Sequence, residues 1–258
     1  MLQPKLDSTA NYITGFENTY LFLDQDSSVF TAPKNETLTI VDIFTKDKEV
    51  QRELRAQEGA TLHYIKISKS KKSVSVKYIN DIKEDATLNM SLFEFESSDN
   101  IVETKLKSKS ANFTINALLD LKDDSKVLYD VQTTHQNKSF SDIVFKNLLN
   151  DKSSVKLNMF SVVEDTAAFS KAFQNSKTIL LSDDSSIAVT PHLEISIDEL
   201  EASHGATYGD LEKEALYYLQ SRGIKESDAK IILLDAIRNE VFMSLENEKL
   251  VEYIKGIL

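Results

Sequence analysis

The chain has 258 residues, of which 41% are hydrophobic, enough to bury a sizeable core in one large domain or one domain with an appendage. Its 41 acidic against 30 basic residues leave a net charge of −11, a surface that repels phosphate and argues against nucleic acid as a partner. It has no cysteine, hence no disulfide framework and no thiolate nucleophile. No apolar run approaches the roughly 18 residues of a membrane span, and the opening MLQPKLDSTANYITGF lacks the basic-then-apolar order of a secretory signal. The expectation is a cytoplasmic protein.

Residues 1–37 form an N-terminal segment, in which YLFLDQDSSVFTAP fits two strands around an Asp-Ser turn. From 38 to 198, short runs of alternating apolar residues recur: LTIVDIF, TLHYIKI, VSVKYI, TLNMSLFEFE, NFTINALL, KVLYDV, SVKLNMFSVV, KTILLS, IAVT and HLEISI. Period-two alternation is the strand signal, and the Asp, Ser, Asn and Lys clusters between the runs are turns. The charged stretch DKEVQRELRAQEGA stands apart and reads as a helical turn or an exposed hairpin. A weak repeat, a small residue leading into a strand, occurs at Ala60, Ala86, Ala111, Ser125, Ser153 and Ser185. Its spacings of 26, 25, 14, 28 and 32 suit stacked coils, although 14 breaks the phase. The residues alone leave a solenoid and a β-sandwich equally open.

Residues 199–258 change character and read as a helical subdomain. Leu211, Ala215, Leu216, Tyr218 and Leu219 fall at helical spacing, and Gly223 supplies a stop. Ser227 reads as the N-cap of a second helix, DAKIILLDAIRNEVFMSL, with Asp228 in its first turn. A third helical stretch, ENEKLVEYIKGIL, follows.

The strongest catalytic signatures are missing. No GxxxxGK phosphate loop, GxSxG elbow, HExxH helix or paired CxxC occurs, so no catalytic residue is assigned and the chain reads as a non-enzyme. Among the four histidines, His63 alternates within a strand as a half-buried or surface residue. His135, in TTHQN, reads as a turn residue, and His192 as facing solvent or a partner. His204 sits in SHGAT, between the last strand and the first helix. Gly205 would let the backbone bend there or approach another surface closely. A neutral imidazole is a good metal ligand, and Glu194 and Glu201 could add oxygen ligands or orient the ring. The residues equally allow a histidine that merely caps a turn.

The run TILLSDDSSIAVTPHLEISIDELEASHGATYGDLEKEALYYLQSRGI resembles the C-terminal signature of the SufB/SufD family of iron–sulfur cluster assembly proteins. The resemblance rests on Leu180–Asp183, Pro191–Ile195, Ser203–Thr207 and Tyr218–Ile224, and it extends over about 142–241. It implies a mainly β fold, a right-handed parallel β-helix with a C-terminal α-helical appendage. It implies a SufD-like scaffold in a complex with a SufC-type ABC ATPase and a SufB-type paralogue, or a second copy of itself. No cofactor would be bound stably, but a transient iron–sulfur cluster would form at a subunit interface. His204 would be the cluster or iron ligand, and Tyr217, Tyr218, Arg222 and Ile224 would grip the ATPase. Gly205, where SufB-like chains have glutamate, and Asn175, where they have cysteine, place the chain on the SufD-like side. Ala202 departs from the cysteine of many SufD-like chains, so a SufD-like protein without cluster chemistry is one alternative. A carbohydrate-active β-helix is another.

Overall fold

The computed structural model describes residues 11–12, 17–71, 73–245 and 247–257. In chain order its strands are β1 (Asn11–Tyr12), β2 (Thr19–Leu23), β3 (Ser28–Ala32), β4 (Thr37–Phe44), β5 (Lys48–Ala56), β6 (Thr61–Ser68), β7 (Val74–Ile82) and β8 (Thr87–Glu94). They continue as β9 (Ser98–Leu106), β10 (Ala111–Leu121), β11 (Lys126–His135), β12 (Ser139–Leu149), β13 (Ser154–Val163), β14 (Lys171–Leu180), β15 (Ser186–Ile195) and β16 (Glu201–Gly209). Three helices follow: α1 (Lys213–Ser221), α2 (Glu226–Met243) and α3 (Glu248–Ile257).

From β2 onward the chain alternates between two sheets. One runs β1-β2-β4-β6-β8-β10-β12-β14-β16, the other β15-β13-β11-β9-β7-β5-β3. Every pairing is parallel except β1 with β2. This is the expected parallel β-helix, and the sandwich alternative falls away. The two sheets reach beyond 38–198. Strands β2 and β3 open the stack, and β16 closes it, so helix begins at Lys213 and not at residue 199.

The broken repeat has a simple cause. Ala60, Ala86 and Ala111 lead into strands of the nine-stranded sheet, whereas Ser125, Ser153 and Ser185 lead into strands of the seven-stranded one. The spacing of 14 is half a coil. Tight turns close before most of these small residues: Ala60 N–H donates to the Gln57 carbonyl, Ala86 to Lys83, Ser125 to Lys122 and Ser153 to Asn150. Each turn needs one left-handed residue, supplied by Gly59, Asp85, Asp123 and Asp151. At Gly59 a Cβ would also strike the Asn35 side chain of the preceding coil.

The two sheets differ in pattern because they differ in burial. The inner faces of both line one apolar lumen. The outer face of the nine-stranded sheet is also covered: Val41, Ile43, Ile65, Ile67, Phe93, Leu118 and Leu148 meet Ile237, Val241, Phe242, Leu250 and Ile254 of α2 and α3. Phe93 and Phe242 stack with centroids 5.0 Å apart, and Arg238 of α2 bonds Asp120 of β10 at 2.8 Å. Strands buried on both faces lose strict alternation, as VDIF and IKIS do. Thus α2 and α3 are part of the body and not a detachable appendage. Gly223 does end α1, at φ +86. Helix α2 starts at Glu226 with no side-chain cap, so Ser227 lies in its first turn and is not its N-cap.

Charge enters the lumen at two places. The stretch DKEVQRELRAQEGA is strand β5, neither helical turn nor hairpin. Its Arg52 is fully buried, bonding Asp42 at 2.7 Å and the carbonyls of Asp26 and Gln25 at 2.6 and 2.9 Å. The Tyr64 hydroxyl donates to the same Asp42 at 2.6 Å. One coil on, Lys66 reaches Glu94 and Asn100, both at 2.7 Å, and the Tyr129 hydroxyl donates to Glu94. Burial would depress Arg52, but Asp42 holds it above its ordinary value; at Lys66 burial prevails over Glu94 and lowers it. Removing one member of such a pair strands the other charge in the interior.

His135 is not a turn residue. It ends β11 with its ring in the lumen, its two nitrogens 2.8 and 2.9 Å from the hydroxyls of Ser139 and Ser141. Burial pushes its pKa from 6.5 down to about 4. Across that window the unfolded chain takes up a proton that the folded chain refuses, so stability falls as pH drops, by up to about 3 kcal/mol. Urea unfolding at about pH 7 and about pH 4.5 should show a larger loss for the wild type than for His135→Asn.

Candidate functional site

A parallel stack satisfies every strand on both sides except at its ends. Strand β16 pairs only with β14, and β15 only with β13. At this end the lumen has no lid among the described residues. Tyr208 of β16 is 75% exposed, and Ile195 of β15 is also exposed.

His204 lies on this open end. It is not at a turn: SHGAT is the middle of β16, in register with Phe173–Lys177 of β14. Gly205 takes no left-handed conformation, and a Cβ there would meet nothing, so its freedom is not used within the chain. In-register neighbours of a parallel sheet share a face. The lumen column Ile40–Tyr64–Met90–Ile115–Ile143–Gln174 therefore continues to His204 as its last rung. Ala202, Ala206 and Tyr208 share that face, opposite Ile187, Val189, Pro191 and Leu193 of β15.

Strand parity overturns the proposed carboxylate partners. Glu201 is one residue out of phase, on the outer face, where it bonds Lys171 at 2.8 Å. Glu194 lies outward on β15, next to His192, whose ring stacks on Phe160 at 4.6 Å. No group of three His, Cys, Asp or Glu residues able to hold a metal occurs among the described residues. His204 is exposed at this end.

Sequence reasoning passed over the residue beneath it. Gln174 is 2% exposed, and its Nε2 donates to Ser161 Oγ at 2.7 Å and to the His192 carbonyl at 3.3 Å. One signal was present: in AFQNSKTILL, period-two alternation puts the long polar Gln174 in phase with Ala172, on the inward side of the strand.

A second exposed surface is α1, which buries no residue. Tyr217 and Tyr218 are 66% and 58% exposed, and the Arg222 guanidinium lies over the Tyr218 ring at 5.2 Å. Ile224 is half-buried, while Ile231 and Ile232 of the adjoining α2 are exposed. Lys177 of β14 and Glu212 pair at 3.9 Å where β16 gives way to α1.

The family model described as "SUF system FeS cluster assembly, SufBD core domain" matches residues 12–237. The chain belongs to this SufB/SufD family. The iron–sulfur cluster assembly protein SufD of Escherichia coli is 28% identical over 155 residues, 58% of this chain and 36% of that protein. SufD of Plasmodium falciparum is 35% identical over 108 residues, 42% of the chain and 7% of that protein. A SufBD family protein of Synechocystis is 36% identical over 80 residues, 31% and 18%. The chain thus spans about a third of the Escherichia coli protein and less of the other two.

Edge strands bonded on one side open at lower cost than internal ones. Amide hydrogen exchange should be faster in β15 and β16 than in β10–β13, and equal protection would mean that the end is already covered.

Proposed function

We propose that this chain is a SufD-like subunit of an iron–sulfur cluster assembly complex, a scaffold and not an enzyme. The observation that carries the reading is His204, the last rung of the lumen column, standing on an uncovered strand edge. A SufB-type paralogue, or a second copy of this chain, would add its own edge strands there, because an unpaired edge is a standing template for pairing. His204 would then face the partner across the junction. With no cysteine in these residues, sulfur ligands and any persulfide must come from the partner's thiolates. Imidazole beside thiolates is an adequate ligand set for iron in a cluster. The cluster is cargo, formed at the junction and passed on.

The exposed aromatic and Arg face of α1, with Tyr217, Tyr218, Arg222 and Ile224, is the proposed seat of a SufC-type ABC ATPase. Tyr and Arg are the side chains that most often anchor such contacts. ATP chemistry would belong to that partner, in keeping with the missing phosphate loop. No described helix is long and apolar enough to cross a membrane, and the reading places the complex in the cytoplasm. A carbohydrate-active β-helix finds no support in the family match.

Replacing His204 with Ala should leave folding and assembly intact, because the side chain is exposed. Cluster formation by the complex, followed by visible absorption, should fall about tenfold or more; an unchanged rate would make this chain a scaffold without a ligand. Deleting the helices would strip a core, so the ATPase surface is tested by point variants. Tyr217→Ala with Tyr218→Ala should weaken ATPase binding about tenfold or more in calorimetry, with the fold unchanged.

A further inference from the structure

The carboxamide of Gln174 is oriented without ambiguity. Its Nε2 donates to the His192 carbonyl, which can only accept, and to Ser161 Oγ. The other end, Oε1, must therefore be the acceptor, and it is buried and accepts no hydrogen bond from the described residues, His204 included, as the side chains stand. Such an orphan costs about 1–3 kcal/mol, so the site is incomplete as it stands.

The in-register lumen neighbours of Gln174 are Ile143 and His204. Only His204 carries a ring N–H. It sits one strand spacing away, about 4.8 Å along the stack, on the same face. Of the lumen hydroxyls nearby, Ser141 pairs with His135 and Ser176 accepts from Asn147, and neither bonds Oε1. On β16, the neighbours Ala202 and Ala206 have no polar side-chain atom.

We propose that Gln174 is the positioning residue of His204: a turn of the exposed ring brings one ring N–H to Oε1, which accepts its hydrogen bond, so that the lone pair of the other nitrogen faces out of the open end. The proposal rests on the reading of His204 as a ligand. A neutral imidazole carries its proton on one nitrogen only, and an oxygen that cannot donate selects the nitrogen that bears it. Metal-binding imidazoles are commonly oriented this way, by a carbonyl or carboxylate behind the ring. Gln174 adds a mechanical link. Through the His192 carbonyl it ties β14 to the terminal strand β15 across the lumen, so the amide is held from both sheets.

The test is the tautomer of His204 in the full chain, read from long-range proton–nitrogen correlations at about pH 8, where an ordinary imidazole is neutral. With four histidines in the sequence, assignment by substitution is direct. In the wild type the two ring nitrogens should show well-separated shifts, one protonated and one bare. In Gln174→Met, which keeps the volume and loses the oxygen, they should move toward the average of an unconstrained ring. Gln174→Glu, which keeps an oxygen acceptor, should retain the separation. An unconstrained mixture in the wild type overturns the proposal whether or not any variant folds, and so does a wild-type tautomer that survives in Gln174→Met. Cluster formation by the assembled complex should fall about tenfold in Gln174→Met. If tautomer selection is found but His204→Ala assembles clusters normally, the ligand reading fails and the positioning stands. If His204→Ala loses clusters while Gln174→Met changes no nitrogen shift, the positioning alone fails.

Discussion

In-register parallel stacking is the constraint on which the molecule rests. Each residue of a coil lies on the residue one coil earlier, so like stacks on like: Leu38 on Leu62, Leu88 and Phe113. Backbone hydrogen bonds run along the stack, and inward side chains form continuous columns. Such an arrangement leaves backbone groups unpaired only where the stack stops. An isolated solenoid end is a liability, and a natural place for a partner. His204 stands there and not in a cleft.

Polar groups in the lumen are tolerated where they find partners. Arg52 and Asp42, then Lys66 and Glu94, neutralise each other within the first coils, with Tyr64, Asn100 and Tyr129 adding hydrogen bonds and Glu94 Oε2 left without one. Toward the other end the lumen turns to Ser, Thr, Asn and Gln, as at Asn147, Ser161, Gln174 and Thr178. These side chains carry no charge that must be matched, but their amides have two ends to satisfy. At Asn147 and at Gln174 the amide oxygen is left without a partner among the described residues, and Gln174 lies next to the last rung of its column.

The helices do two jobs. Helices α2 and α3 close the outer face of the nine-stranded sheet and form a second core. Helix α1, directly after the last strand, adds nothing to that core and presents its tyrosines outward. The chain therefore passes from the strand edge that carries His204 to the helix that carries Tyr217 and Tyr218 within a few residues.

Much of this was legible in the sequence. Period-two runs mark the strands because side chains alternate across a sheet, and Gly223 marks a helix end because only a left-handed residue closes it there. The SHGAT run and its flanks carried the family resemblance. Stacking decided the rest. The spacing of 14 had no meaning until the small residues fell into two columns on opposite sheets. The stretch that holds Arg52 read as a helical turn or an exposed hairpin because a buried guanidinium needs partners from other coils, which lie about 10–30 residues away in the chain. Glu194 and Glu201 read as neighbours of His204 because they are close in sequence. Parity within the strands turns them to the outer face, while Gln174, thirty residues upstream, comes into register with His204 on the neighbouring strand. Distance along the chain says little in a solenoid, where the nearest neighbour is one full coil away.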